Sequence, residues 1–153
     1  MKKIILVLVA LTLSVFAEMV TGLEVATGKS YSDSDARIKS GLIKIGNDSE
    51  TARLFVFGGV DHYNDNEGSC KYYGLEINKK FDEFYVGFGM AFGKKNMKGF
   101  ELSNRDLILK VGHTWYSESS SIDAGVKFID RTFKNAELRH RLGLVFVGYN
   151  FNL

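Results

Sequence analysis

The sequence contains no proline and a single cysteine, Cys70. Proline donates no ladder hydrogen bond and is excluded from the interior of β-sheets, so its absence is compatible with a chain made almost wholly of paired strands. One cysteine excludes an internal disulfide. After the first 17 residues, no stretch is long and apolar enough to cross a membrane as a helix.

The N-terminal segment has the parts of a secretory signal peptide. Two lysines precede an apolar run over 4–13, and small residues at positions 15 and 17 mark a cleavage site. The run is short for a membrane anchor. We therefore predict a signal peptide at 1–17, whose removal leaves 18 basic and 18 acidic residues. A net charge of zero gives no indication of a nucleic-acid partner.

The rest of the chain alternates between two kinds of residue with a period of two, which is typical of strands. Over 84–93, bulky apolar side chains take one face, and tyrosine, glycine or alanine takes the other. The faces of the second and third strands stay open, because Phe55 and Phe57 compete with Leu54 and Val56 for the apolar side. The predicted strands are 19–28, 37–46, 53–62, 70–79, 83–93, 106–116, 121–130 and 141–153.

Strand length and number together predict a closed transmembrane barrel. Each strand has about ten residues, the length that a tilted strand needs to cross a bilayer. An even number lets an up-and-down barrel close with both termini on one side. Lipid offers no hydrogen bonds, so the apolar faces are expected to meet lipid and the small or polar faces to line the lumen.

The connections between the predicted strands alternate in length. Such alternation is typical of extracellular loops and periplasmic turns. The long connections are 29–35, 63–69, 94–105 and 131–140, and the short ones are 47–51, 80–82 and 117–120.

The last strand is the most specific part of the pattern. Its apolar face runs to the final residue and consists of Val145, Val147, Tyr149, Phe151 and Leu153. In this strand, and in the pattern of the whole exported chain, the sequence resembles the small eight-stranded bacterial outer-membrane β-barrels of the OmpA/OmpX type. The resemblance implies an all-β, antiparallel up-and-down transmembrane barrel over 18–153 in the outer membrane. It also implies that the last strand is the signal recognised by the barrel-assembly machinery.

Several charged residues are expected to face the lumen, and Arg53 and Asp61 are further candidates. An eight-stranded barrel is just wide enough for its side chains to fill, and buried charges need partners. We therefore predict a structural ion-pair network, with a narrow ion path past Gly87, Gly89 and Ala91 as the alternative. The predicted network consists of Glu24, Glu76, Lys110, Asp123 and Lys127.

The third and fourth long connections are rich in basic residues. Clustered lysine and arginine bind phosphate well, so these connections could contact outer-membrane lipids and lipopolysaccharide, or a host or cell-surface partner. Solvation of the loops is the alternative. The possible basic loop surface consists of Lys94, Lys95, Lys98, Arg105, Arg131, Lys134, Arg139 and Arg141.

Catalytic signals are weak. His113 lies near Ser117 and Glu118 in the sequence, and such residues can form an acyl-transfer nucleophile. However, Ser117 falls in a connection predicted to be periplasmic, and His62 and His140 show no metal-ligand spacing. We therefore predict no catalytic residue, metal or cofactor.

The main functional hypothesis is a non-enzymatic outer-membrane barrel with a structural or adhesive role through its extracellular loops. One alternative is an outer-membrane lipid-modifying enzyme, an acyl hydrolase or acyltransferase. The other is a soluble lipocalin-like ligand binder, whose apolar faces would point inward around a ligand.

Overall fold

A computed structural model describes residues 18–32, 36–64, 68–97, 99–134 and 138–153. The predicted signal peptide at 1–17 lies outside the described residues. Within the described part of the chain, no helix is long and apolar enough to span a membrane. The strands are β1 (Glu18–Ser30), β2 (Arg37–Asp48), β3 (Ala52–Tyr63), β4 (Ser69–Phe81), β5 (Phe84–Met97), β6 (Phe100–Tyr116), β7 (Ser120–Phe133) and β8 (Arg139–Asn152).

The eight strands close into one antiparallel up-and-down barrel, which confirms the predicted fold class. Each strand pairs with the next, and β1 also pairs with β8, from Val20 opposite Asn152 to Ser30 opposite Leu142. Closure gives the first and last strands a partner on both sides, which removes the exposed edges of an open sheet. We call the end of the barrel that holds Glu18 and Asn152 the termini end, and the opposite end the far end.

The hairpin between β5 and β6 is longer than predicted. The expected connection at 94–105 is wrong, because the ladder continues to Met97 opposite Phe100. Gly99 has a φ of 89°, a left-handed conformation that a tight turn requires and that glycine adopts without strain. The alternation of long and short connections therefore fails here. Since β6 and β7 pair only from Asn104 opposite Phe133, the tip of this hairpin projects beyond β7.

The two faces of the barrel wall have the opposite polarity to that of a water-soluble protein. Large apolar side chains such as Phe88, Leu109 and Val147 point outward and are about half exposed, at 46%, 56% and 51%. Charged side chains such as Arg53 and Lys110 point inward and are 1% exposed. A continuous apolar outer surface of this kind marks a surface that contacts something other than water.

The structure also assigns the faces that the sequence left open. On β3, Phe55 and Phe57 point into the barrel, while Leu54 and Val56 point outward. Space for the inward rings comes from glycine on the neighbouring strand: a Cβ at Gly74 would lie 2.8 Å from Phe57 Cζ. On β2, the inward face carries Ile38, Ser40, Leu42 and Lys44.

Candidate functional site

The centre of the lumen holds an ion-pair cluster built on Lys110. Its ammonium group donates to Glu24 Oε2 at 2.5 Å and to Glu76 Oε1 at 3.1 Å. Lys127 donates to the other oxygen of Glu24 at 2.9 Å, and Asn78 donates to Glu76 Oε1 at 2.8 Å. Two cations therefore face two carboxylates, so the charges of this layer balance.

A second cluster lies towards the termini end, around Asp123. Arg53 Nη1 donates to Asp123 Oδ1 at 2.9 Å, and Lys44 Nζ lies 3.2 Å from Asp123 Oδ2. Thr114 and Asn150 donate to the same carboxylate at 2.8 and 3.0 Å. Each oxygen of this buried carboxylate thus accepts from two donors, and a buried charge needs such partners.

A third cluster lies towards the far end, around Arg131. Its guanidinium donates to Asp106 Oδ2 at 2.6 Å, to Asp61 Oδ2 at 2.8 Å and to the Tyr63 hydroxyl at 2.6 Å. Above it, Lys95 Nζ lies 4.0 Å from the centre of the Tyr63 ring.

The assignment of Lys95 and Arg131 to a loop surface is therefore wrong. Both are 0% exposed, because the strands continue past their predicted ends and the period of two turns these side chains inward. Arg131 shares the inward face of Lys127, and Lys95 shares that of Ala91.

The five predicted lumen residues belong to the first two of these clusters. All are at least 95% buried, and each forms an ion pair. Arg53 and Asp61, the further candidates, also point inward and are paired. Lys44 and Asp106 also belong to these clusters, but the sequence pattern did not identify them as lumen residues. Lys44 lies on the strand whose face was ambiguous, while Asp106 shares the period-two face of Lys110 and could have been found from it.

The outer surface at the far end carries a basic collar. Its members are exposed, lie on strands and face outward, where the apolar wall ends. It consists of Lys29, Arg37, Lys39, Lys71, Lys94, Arg105, Arg139 and Arg141.

The collar overlaps the predicted loop surface only in part. Lys94, Arg105, Arg139 and Arg141 were predicted, and Lys134 is exposed in the connection after β7. Lys98 lies outside the described residues. The four collar residues on β1, β2 and β4 were missed, because they are scattered between positions 29 and 71 of the sequence and only barrel closure brings them next to the others.

Two acidic side chains lie on the described outer surface at the far end, and both pair with collar residues. Glu101 accepts a hydrogen bond from Lys94 at 2.6 Å. Asp130 accepts a bidentate pair of hydrogen bonds from Arg139. The termini end carries mainly negative charge: its described exposed charges are Lys79 against Glu18, Glu50, Asp82, Glu83 and Glu118.

His113, the weak catalytic candidate, lies on the outer surface at the termini end. Its ring packs between Phe84 and Trp115, with centroids 4.7 and 4.4 Å away. Its Nε2 lies 3.1 Å from a carboxylate oxygen of Glu83. An aromatic cluster at the rim accounts for these contacts. Among the described residues, no group of three His, Cys, Asp or Glu side chains is placed to hold a metal ion.

The five residues predicted as the assembly signal lie on the outward side of the final strand and just after it. Val145, Val147, Tyr149 and Phe151 are 40–60% exposed, and Leu153 is 72% exposed. The rings of Tyr149 and Phe151 meet edge to face at 4.5 Å, near the termini end. A contiguous apolar stripe is therefore presented to whatever surrounds the barrel.

No protein-family model matches the chain, and no curated protein matches it. Solved structures do resemble it. Neisserial surface protein A has 15% sequence identity and a TM-score of 0.61, covering 90% of this chain and 97% of that one. The N-terminal β-barrel domain of Pseudomonas aeruginosa OprF has 13% identity and a TM-score of 0.55, covering 88% and 99%. Both are small eight-stranded outer-membrane barrels, and the fold of this chain is theirs.

Proposed function

We propose that this protein is a non-enzymatic barrel of the bacterial outer membrane, with a structural or surface-interaction role at its far end. The observation that carries the proposal is the inverted polarity of the wall, with charge inside and apolar side chains outside. If this outer face were in contact with water, the barrel would be prone to aggregate, whereas contact with lipid suits an apolar surface. The similar solved barrels support the same location.

The far end is proposed to face outward from the cell. Short connections at 49–51, 82–83 and 117–119 lie at the termini end, together with the start of β1 and the end of β8, as in barrels whose termini are periplasmic. The far end holds most of the longer connections, at 31–36, 64–68 and 134–138. It also presents the projecting hairpin, whose Phe100 is 76% exposed. Through these features the protein would meet outer-membrane lipids, lipopolysaccharide or a cell-surface partner.

The packed lumen argues against a pore. Three ion-pair clusters, together with the rings of Phe55, Tyr85 and Phe146, occupy the interior of the barrel. The same charges argue against a lipocalin-like binder, whose cavity is lined by apolar groups. A transport role would require these clusters to open.

The test combines fractionation with conductance. The exported chain should be recovered in the outer-membrane fraction, and its gel mobility should change on boiling, because a closed barrel resists detergent until it is heated. Purified barrel in planar bilayers should give no stable conductance. Recovery in the soluble periplasmic fraction without a mobility shift would refute the location, and sustained ion conductance would refute the sealed lumen.

The outward stripe of β8 is proposed to be the contact for the barrel-assembly machinery. It presents Tyr149 and Phe151 on the surface that lipid later covers. The proposal rests on the resemblance of this strand to the insertion signal of outer-membrane barrels. Its test is the rate at which a Phe151→Ala variant inserts into outer membranes.

A further inference from the structure

A recess of about 630 Å³ lies at the far end on the outer surface of β4–β6. Lys71, Lys94 and Lys134 line it, and Tyr73 and Phe92 form its lower border. Directly below, an apolar trough of about 540 Å³ shares Tyr73 and Phe92 and continues over aliphatic side chains of β3, β4 and β5. Basic groups, aromatic rings and an apolar trough thus follow one another along the wall.

Lys71 and Lys94 are directly opposite each other in the β4–β5 ladder, and both side chains point outward. Like charges in this position are close together and destabilise a sheet. Glu101 pairs with Lys94 and offsets one of the two charges. An anion with two negative charges, bound between the lysines, would turn this repulsion into attraction.

The position of the recess along the height of the barrel matches the headgroup level of a membrane. On β4 the outward residues between Lys79 and Lys71 are Ile77, Leu75 and Tyr73, none of them charged. Eight residues at a rise of about 3.4 Å, with a tilt of about 40°, span a height of about 21 Å. This is close to the apolar band of about 25 Å expected for such barrels, so the ammonium group of Lys71 lies where lipid phosphates begin.

We propose that the recess binds a phosphate group of an outer-leaflet glycolipid of the lipid A type. Lys71 and Lys94 hold the phosphate, and Lys134 approaches it from the neighbouring connection. Tyr73 and Phe92 contact the first part of the acyl chains, which then lie in the apolar trough. This inference rests on the proposed outer-membrane location and gives the basic collar one discrete lipid site in addition to its diffuse charge.

The experiment measures lipid A binding to the purified exported chain in detergent by native mass spectrometry. The test variant is Lys71→Gln with Lys94→Gln, and the control is Lys29→Gln with Arg37→Gln. The control pair is also outward-facing and directly opposed, on β1 and β2, but does not line the recess. We expect the test variant to bind bisphosphorylated lipid A about tenfold more weakly, and the control less than about threefold.

A second variant is expected to change the affinity for lipid A in the opposite direction. Glu101→Gln removes the carboxylate that competes with phosphate for Lys94, so it should bind lipid A more tightly than the unmodified chain. Dephosphorylated lipid A should bind all variants equally weakly. Inorganic phosphate at millimolar concentration should leave lipid A binding unchanged, because the acyl chains contribute to the site.

Three results would overturn the inference. Equal losses in the two double variants would show that the collar acts only as diffuse charge. Full competition by inorganic phosphate would assign the recess to a soluble anion. A Glu101→Gln variant that binds lipid A no better would show that Lys94, the partner of Glu101, does not hold the phosphate. Each variant is first checked for the boiling-dependent mobility shift, and failure of the unmodified chain to fractionate with outer membranes would refute the location itself.

Discussion

Removing the charge of Lys110 provides the sharpest test of the lumen. Lys110→Met keeps most of the side-chain volume but takes away the ammonium group that contacts both Glu24 and Glu76. Glu24 keeps its ion pair with Lys127, whereas Glu76 keeps only the amide of Asn78. One carboxylate is then buried without a cation, and breaking a buried pair in this way costs about 3–5 kcal/mol.

We expect Lys110→Met to lower the free energy of unfolding by about 3 kcal/mol, the lower part of that range, because Asn78 still donates to Glu76. Adding Glu76→Gln restores the charge balance and should recover about 2 kcal/mol of the loss. The assay is equilibrium urea unfolding of the barrel in lipid micelles, followed by the gel mobility of the folded form. Lys79→Met, an exposed outward lysine, is the control and should change stability by less than about 0.5 kcal/mol.

The reasoning would be refuted by either of two outcomes. Lys110→Met could unfold at the same urea concentration as the unmodified barrel, which would mean that the cluster contributes nothing. Alternatively, Glu76→Gln could deepen the loss in the double variant, which would mean that the two side chains are not a coupled pair.

Three further predictions concern the wall of the barrel. Gly74→Ala should lower the free energy of unfolding by about 1–3 kcal/mol in urea, since the added Cβ would lie 2.1 Å from the Met90 carbonyl oxygen. Gly41→Ala is the control and should leave stability unchanged, because a Cβ at Gly41 would meet nothing within 4 Å. Leu109→Arg puts a charge in the middle of the outward apolar wall and should cost about 2–4 kcal/mol by the same assay. Phe151→Ala should slow insertion into outer membranes, measured by pulse-chase appearance of the heat-modifiable form, and an unchanged rate would contradict the assembly role.

The barrel was predictable because period-two sorting is strongest where one face must be apolar. β5 and the last part of β8 show this most clearly. Over 85–93 and 148–152 the inward positions are largely glycine, alanine or asparagine, and the outward positions beside them are bulky and apolar. β3 was ambiguous because Phe55 and Phe57 are inward-facing aromatics, filling space left by small residues on neighbouring strands. A hydrophobic pattern alone does not distinguish such rings from lipid-facing ones.

The lumen pairs and the basic collar depend on register, which the sequence pattern does not supply. The alternation shows which residues point inward. It does not show that Lys110 contacts Glu24, which is 86 positions away in the sequence. The extended β5–β6 hairpin was missed because polar strand residues beyond the apolar wall look like loop. Because the predicted strand ended before Lys95, this residue was assigned to a loop, whereas the structure places it inside the barrel.

The central claim is that the apolar outer face of the barrel contacts lipid. Trp115, the single tryptophan, lies on that face and is 52% exposed, near the termini end. The measurement is quenching of its fluorescence in vesicles, by lipids brominated along the acyl chain and by iodide in the buffer. The account predicts strong quenching by the brominated lipids, greatest for bromine near the headgroup, and weak quenching by iodide. Strong quenching by iodide with none from brominated lipid would contradict it.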